Sequence, residues 1–178
     1  MSIMAMDQLQ KLSRQRWTVS LLAVMAARGG ARFVELLHAL SISRESLSRT
    51  LQSALEDGWI ARNSGHGHPL RPEYILTDAG MRVAATCSQI AAVQSALQME
   101  PTLFSRWSLP LVKVVGEGER RFSAIARALP DSNPRALSQS LKGLTQHHIL
   151  CREIISSYPP TSEYDLTSRG HMLATALV

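Results

Sequence analysis

Three successive segments in the first half of the chain carry apolar residues at the three- and four-residue spacing of amphipathic helices. They span residues 17–27, 32–40 and 44–56. Ser43 is a good N-cap residue for the third segment, because its hydroxyl can accept a hydrogen bond from a free backbone N–H in the first turn. Asp57-Gly58 then ends the segment. The pattern therefore predicts three consecutive helices.

A β-hairpin is predicted after the third helix. Residues 59–62 and 74–76 are short apolar segments around a loop rich in glycine and proline, which are typical of turns. Thr77 can cap a further helix, predicted from Asp78 to about Met99. The order of elements is therefore helix, helix, helix, hairpin and helix.

The sequence then repeats itself at an offset of 90 residues. Arg32-Phe33 returns as Arg121-Phe122, one residue short of that offset, and the slip falls among turn glycines, where an insertion costs little. The other matched segments are Arg16-Trp17 with Arg106-Trp107, Leu47-Ser48 with Leu137-Ser138, and Glu73-Tyr74 with Glu163-Tyr164. The chain is therefore predicted to hold two copies of one unit of about 75 to 80 residues.

The second copy is predicted to contain the same elements with different details. Ser132 or Asn133 can cap its third helix, and Pro134 stands in the first turn, where the missing N–H of proline costs nothing. Thr167 can cap the final helix. The predicted helices are residues 107–115, 122–129, 134 onwards and 168–178, and the predicted strands are residues 149–155 and 164–166.

Composition places the protein among ordinary folded proteins. Hydrophobic residues make up 45% of the 178 residues and charged residues 19%, which argues against a disordered chain. Cys87 and Cys151 are too few for a disulfide framework, so a reduced cytoplasmic protein is expected. The first residues do not resemble a signal peptide, and the longest uncharged run, residues 83–99, contains too many Gln and Ser residues for a membrane span.

Net charge adds one functional hint. Nineteen Lys and Arg residues against 14 Asp and Glu residues give the chain a charge of +5. An excess of positive charge favours a polyanionic partner such as nucleic acid.

The predicted element order is that of a winged helix-turn-helix domain, whose third helix can enter the DNA major groove. The more specific motifs are Arg16-Trp17-Thr18, Arg32-Phe33-x-x-Leu36, Ile42-Ser43, Leu47-Ser48 with Leu51, Asp57-Gly58, Pro69-x-Arg71-x-Glu73-Tyr74-x-Leu76-Thr77-x-x-Gly80 and, in the second copy, Asn133-Pro134-Arg135-x-Leu137-Ser138-Gln139-x-Leu141. In these motifs both copies resemble the HxlR-type winged-helix transcriptional regulators. The resemblance covers nearly all of residues 14–178.

The resemblance implies a DNA-binding regulator whose relatives usually carry one such domain and form homodimers, so this chain resembles a fused pair. Three departures from the family pattern matter. Family sequences usually have proline after the serine cap, whereas this chain has Arg44. Residues 1–16 lack the cysteine that some members use as a sensor, so that mode of sensing is not implied. Thr161 stands in the second copy where the first copy keeps the wing arginine, Arg71.

The third helices and the first wing supply the candidate DNA-binding residues. Arginine suits guanine edges and phosphates, and serine and glutamine can hydrogen-bond to bases or backbone. The alternative is that these residues form only a solvated polar face. The candidates are Arg44, Ser46, Ser48, Arg49 and Gln52 on the third helix of the first copy, Arg135, Ser138, Gln139 and Lys142 on the third helix of the second copy, and His66, His68 and Arg71 in the hairpin loop, or wing, of the first copy.

Arg32 and Arg121 stand at the start of the second helix of each copy and are further candidates. Two roles are open for them, contact with a DNA phosphate or packing on Trp17 and Trp107. The second wing is nearly neutral and the first is basic, so the two copies are expected to contribute unequally to DNA binding.

Other chemistry finds little support in the sequence. His66-Gly67-His68 and the pair His147-His148 near Cys151 lack the further ligands that a zinc site needs, so no metal or cofactor is expected. Of His147 and His148, one imidazole is expected to be partly buried and the other exposed. No set of residues suggests a catalytic site, so the protein is not expected to be an enzyme.

The predicted fold class is mostly α with small β-hairpins, in two tandem winged helix-turn-helix domains that form a pseudo-dimer. The first domain is residues 1–80 with an N-terminal helix, an Ala-rich linker and interface helix follows at 81–100, and the second domain is residues 101–178. The expected partner is double-stranded DNA, bound by a monomer or by a homodimer of tandem chains. The alternative is a winged-helix scaffold with little or only non-specific DNA binding.

Overall fold

Both halves of the chain fold in the predicted order of helix, helix, helix, hairpin and helix. The computed structural model describes residues 4–63, 72–100, 104–156, 158 and 160–178. The first half contains α1 (Met6–Leu12), α2 (Thr18–Arg28), α3 (Phe33–Leu40), α4 (Arg44–Glu56), β1 (Ile60–Arg62), β2 (Tyr74–Leu76) and α5 (Asp78–Ala96). The second half contains α6 (Ser108–Gly116), α7 (Phe122–Ala128), α8 (Pro134–Gln146), β3 (Leu150–Ile155), β4 (Thr161–Leu166) and α9 (Ser168–Thr175).

The predicted caps set the start of four helices. The Ser43 hydroxyl accepts from the backbone N–H of Ser46 at 3.1 Å. Asn133, rather than Ser132, caps α8, because its Oδ1 accepts from the backbone N–H of Ala136 at 2.7 Å. The hydroxyls of Thr77 and Thr167 cap α5 and α9 in the same way. Each cap satisfies an N–H that has no partner within its own helix.

Three predicted boundaries are wrong. The helix α9 ends at Thr175 instead of Val178, because residues 176–177 form a turn. The strand β4 begins at Thr161 instead of Tyr164, because residues 161–163 pair with the end of β3 across the hairpin although they lack an apolar pattern. The helix α5 ends at Ala96 instead of Met99, since Gln98 adopts a left-handed conformation with φ of 51° that a helix cannot continue through.

In each half, one residue of the segment before the second helix pairs through its backbone with the second strand of the hairpin. The backbone groups of Ala31 and Tyr74 exchange hydrogen bonds of 3.0 and 2.9 Å, which joins the segment before α3 to β2. In the second half, the backbone N–H of Tyr164 donates to the carbonyl of Arg120 at 2.9 Å. Arg120 follows Ala31 by one residue less than the repeat offset, so the structure agrees with the slip found in the sequence.

One continuous apolar cluster runs through both halves of the chain. The apolar stripes of the helices enter it, as their spacing predicts, and the aromatic side chains of Trp59, Tyr74 and Trp107 are buried in it. Within the first half, α5 packs most extensively on α2. The shorter α9 packs on α6 in the equivalent place.

The two halves also contact each other through their terminal elements. The N-terminal helix α1 lies against α6 of the second half, with Leu9 and Leu12 fully buried. The ends of α5 and α9 also meet, and the Arg169 guanidinium donates to the carbonyl oxygen of Leu97 at 3.0 Å. The backbone N–H of Met4 donates to the carbonyl of Leu177 at 3.3 Å.

The two cysteines differ in environment, and this difference predicts their reactivity. Cys87 is buried in α5, and burial raises the pKa of its thiol because the thiolate would lose its hydration. Cys151 is exposed on β3. We expect a thiol reagent to modify Cys151 in the folded protein and to reach Cys87 only after unfolding. Mass spectrometry after brief labelling checks this, with Cys151→Ser as the control that should remain unmodified; rapid labelling of Cys87 would contradict the burial.

Candidate nucleic-acid interface

The helix α4 presents a polar face to solvent. Arg44, Ser48, Arg49 and Gln52 are exposed and Ser46 is half-buried. The opposite face carries Leu47 and Leu51 into the core. This division follows from the helical spacing, which puts residues three or four apart on one side. The face can therefore meet a partner without disturbing the core.

Carboxylates on the same helix partly neutralise this face. Arg49 pairs with Glu45, one turn earlier, through its guanidinium. The Gln52 amide donates to Glu56 at 2.9 Å. Arg44 takes part in none of the ion pairs among the described residues. The exposed positive charge of α4 is therefore concentrated at Arg44, in its first turn.

The helix α8 presents the equivalent face without carboxylates. Arg135, Ser138, Gln139 and Lys142 are exposed, while the leucines on the other side are buried. The residues that occupy the positions of Glu45, Glu56 and Asp57 in the second half are Arg135, Gln146 and His147. Consequently α8 carries two cations and no anion, which makes it the more positive of the two third helices.

A concave surface joins α8 to the second hairpin. A cavity of about 460 Å³ is lined by Ser138, Lys142, Thr145, Gln146, Arg152 and Tyr164. Arg152 donates to the hydroxyl of Ser162 at 2.7 Å and stays exposed. The candidate set from the sequence omitted Arg152, although its recurrence at the position of Arg62 was a signal. Lys142 and Arg152 therefore place two cations on one surface.

The two candidate arginines at the starts of α3 and α7, Arg32 and Arg121, make different contacts. The backbone N–H of Arg32 donates to Glu35 at 2.7 Å and so belongs to the start of α3. The Arg121 guanidinium donates from Nε to Glu163 at 3.0 Å, so a carboxylate already compensates its charge. The guanidinium that lies over the Trp107 ring belongs to Arg106, at 5.3 Å from the ring centroid.

The structure describes more of the second wing than of the first. The candidates His66, His68 and Arg71 lie outside the described residues. In the second hairpin, Ile154 and Tyr158 are exposed large hydrophobic side chains.

The expectation for the second histidine pair is wrong. Both His147 and His148 are exposed, because they form the turn between α8 and β3. His148 has φ of 57° and occupies the left-handed turn position that Gly58, with φ of 71°, occupies in the first half. The described residues contain no group of three or more His, Cys, Asp or Glu side chains arranged to hold a metal ion. Among the helices in the described part of the chain, none has the length and apolar character to cross a bilayer.

A second groove flanks α8 on the side of α6, and the sequence patterns did not predict it. It has a volume of about 500 Å³ and lies between the residues that open α6 and the full length of α8. Its polar side chains include Arg106, Gln139 and His147. Gln139 belongs also to the candidate DNA-binding face, so the groove and that face share a border.

Comparison with known families matches the chain twice. The profile of the HxlR-like helix-turn-helix family matches residues 12–101 and again residues 102–178. Together these two matches cover nearly the whole chain, and each contains one set of three helices with a hairpin.

Individual relatives match over single-domain lengths. An HTH-type transcriptional regulator of Synechocystis is 27% identical over 60% of this chain and 77% of its own length. The HTH-type regulator YvaP of Bacillus subtilis is 39% identical over 42% of this chain and 69% of its own. The crystal structure of diamide-treated YodB from B. subtilis is 28% identical, covers 47% of this chain and 80% of its own, and superposes with a TM-score of 0.41.

Proposed function

Because this chain belongs to the HxlR-like helix-turn-helix family and is accordingly a DNA-binding transcriptional regulator rather than an enzyme, we propose that one chain recognises double-stranded DNA with both α4 and α8. The observation that carries the proposal is that both third helices expose a polar face at matching positions. An α-helix with such a face fits the major groove, where base edges are distinguishable.

In this proposal the candidate residues divide into base-recognising and backbone-binding groups. Arginine pairs with guanine edges through two N–H groups, and serine and glutamine bond to bases or sugars. Arg152 joins Lys142 in binding phosphates along the surface between α8 and its hairpin. The base-recognising group is Arg44, Ser46, Ser48, Arg49, Gln52, Arg135, Ser138 and Gln139, and the backbone group is Arg32, Arg121, Lys142, Arg152 and the wing residues His66, His68 and Arg71.

The two halves then contribute in different ways. The α8 helix is cationic, whereas Glu45 compensates Arg49 on α4. The first wing supplies positive charge through Arg71, and the second wing ends in Tyr158 and prolines. We therefore assign more of the helix-borne electrostatic attraction to the second half and more of the wing-borne attraction to the first.

The contacts between the halves support an internal pseudo-dimer. The proposed units are residues 1–80, the segment 81–100, which holds most of α5, and residues 101–178. Helix α1 rests on α6, and Arg169 joins the end of α5 to α9. A cation at a helix C-terminus also interacts favourably with the helix dipole. One chain would thus take the place of a homodimer of single-domain chains, acting in the cytoplasm.

We expect a single chain to occupy a pseudo-palindromic site with half-sites about 34 Å apart, because that spacing brings the same groove face to both third helices. Selection of duplexes from a random pool by the purified protein finds the site. Light scattering of the complex then gives the stoichiometry. Two tandem chains on each site would contradict the pseudo-dimer while leaving DNA binding intact.

The scaffold alternative predicts a different result in the same selection. A scaffold with only non-specific affinity would enrich no duplex over the random pool. Enrichment of one sequence family, with weaker binding to random duplex at equal salt, therefore decides between the two functions.

A further inference from the structure

The groove beside α8 is bounded by one face of that helix and by the residues that open α6. The helix contributes residues at successive turns, and the opening of α6 contributes Arg106 and Trp107. Its volume of about 500 Å³ lies within the range of pockets for small organic molecules.

Small side chains on α8 open the groove. Ala136, Ser140 and Gly143 follow each other along the face, and a Cβ built at Gly143 would meet no atom within 4 Å. The floor is buried, since the exposed fraction is 5% for Trp107 and 1% for Ser108.

The polar groups of the groove are suited to an anion. The Arg106 guanidinium lies 5.3 Å from the Trp107 ring centroid, a cation–π contact that holds it in place. None of the carboxylates in the part of the chain that the structure describes pairs with Arg106 or His147. The Ser105 hydroxyl lies 3.0 Å from the hydroxyls of both Ser108 and Ser140, so these serines bond to one another in the lining of the groove. The groove thus offers a guanidinium with no described counter-ion.

At the corresponding positions of the first half, a carboxylate and an arginine compensate each other's charge. Asp57 occupies the position of His147 there, and Arg14 lies 3.7 Å from its carboxylate. The positions of Ala136 and Gly143 hold the larger Ser46 and Ser53. The second half has no carboxylate at this position and smaller side chains on α8, so the charge of Arg106 stays uncompensated beside an open groove.

From these observations we propose that the groove between the start of α6 and α8 binds a small organic carboxylate, with Arg106 as the cation, His147 as a hydrogen-bonding group and the indole of Trp107 as an apolar wall. A guanidinium binds a carboxylate through paired N–H groups. The groove borders Gln139, so its occupant competes with DNA at α8. This regulatory role rests on the proposed function, whereas the binding itself does not.

Benzoate is the probe for the test, and its neutral analogue benzamide is the matched control ligand. Binding is followed on the free full-length protein by NMR, through the indole N–H signal of Trp107 assigned with Trp107→Phe. We expect benzoate to shift this signal to saturation and benzamide to leave it unchanged. Arg106→Gln should weaken benzoate binding at least about tenfold, by loss of a charge-assisted hydrogen-bonded pair.

Matched variants separate the groove from general electrostatics. Arg16→Gln removes the equivalent arginine of the first half and should leave benzoate binding unchanged. His147→Asp introduces the carboxylate of the first half and should weaken it. Both altered positions are exposed, and thermal melting confirms that the variants fold. Equal weakening by Arg16→Gln, or no saturable shift with benzoate, overturns the proposal.

A further experiment with DNA tests whether the groove binds a small carboxylate or a phosphate of the duplex. If benzoate binds the free protein and weakens duplex binding, both the site and its regulatory role are supported. If benzoate and inorganic phosphate both fail to bind while Arg106→Gln lowers duplex affinity and flattens its salt dependence, the groove is a phosphate contact and the proposal is overturned. If benzoate binds a protein that binds no duplex, the site stands and the proposed function fails.

Discussion

Alanine in place of Arg135 and Lys142 is expected to lower duplex affinity by about 30-fold or more near physiological salt, because each lost interaction with a base or phosphate costs about 1–3 kcal/mol. Both side chains are exposed on α8, where no carboxylate of the helix compensates them. The thermal midpoint should stay unchanged, because neither residue enters the core. Fluorescence anisotropy over a range of salt concentrations measures the effect, and the salt slope should flatten by about one unit for each phosphate that the variant no longer binds.

The matched change in the first half is Arg44→Ala with Arg49→Ala. It should also weaken binding without lowering stability, but by less, about threefold to tenfold, because Glu45 already compensates Arg49. Unchanged affinity in both double variants, for specific and random duplex alike, would favour the scaffold function. A larger reduction in affinity from the α4 pair would contradict the unequal roles that we assign to the two third helices.

Gly80→Ala is expected to destabilise the protein by about 3 kcal/mol or more, among the largest effects of a single substitution. A Cβ at Gly80 would lie 1.8 Å from the carbonyl oxygen and 2.7 Å from the carbonyl carbon of Trp59. Both are backbone atoms at the entry to the first hairpin, so they cannot move aside as a flexible side chain would. Chemical denaturation followed by circular dichroism measures the change in unfolding free energy.

Two further glycines serve as controls for this prediction. Gly170 is the repeat equivalent of Gly80, and its Cβ would lie 2.2 Å from the carbonyl oxygen of Ile149, so Gly170→Ala should be similarly destabilising. Gly143→Ala should instead stabilise the protein by about 0.5–1 kcal/mol, since its Cβ meets open space inside a helix. A mild effect at Gly80 would mean that α5 can shift away from the hairpin.

Local signals in the sequence located the helix starts and the exposed faces of the third helices. Ser43 and Asn133 bond to backbone groups three residues away, so their caps can be recognised without knowing the fold. The same holds for the face that carries Arg44 or Arg135, because the helical period alone sets which side meets the core. These parts of the candidate site could therefore be predicted.

Features that depend on distant partners were predicted less well. The first residues of β4 become a strand only because β3 lies beside them, and nothing in Thr161–Glu163 shows an apolar strand pattern. The charge of Arg121 is compensated by Glu163, which lies 42 residues away and which no local pattern connects to it. The exposure of both His147 and His148 depends in the same way on how α8 turns into β3.

The order of residues therefore established that the chain contains two copies of one helix–hairpin unit, because the caps, apolar stripes and turn glycines that build each unit act over a few residues. The tertiary structure alone decided how the copies meet. The placement of α1 on α6, the bond from Arg169 to Leu97 and the open groove around Arg106 all join segments far apart in the chain. Such contacts arise from the packing of whole elements, which neither residue spacing nor composition encodes.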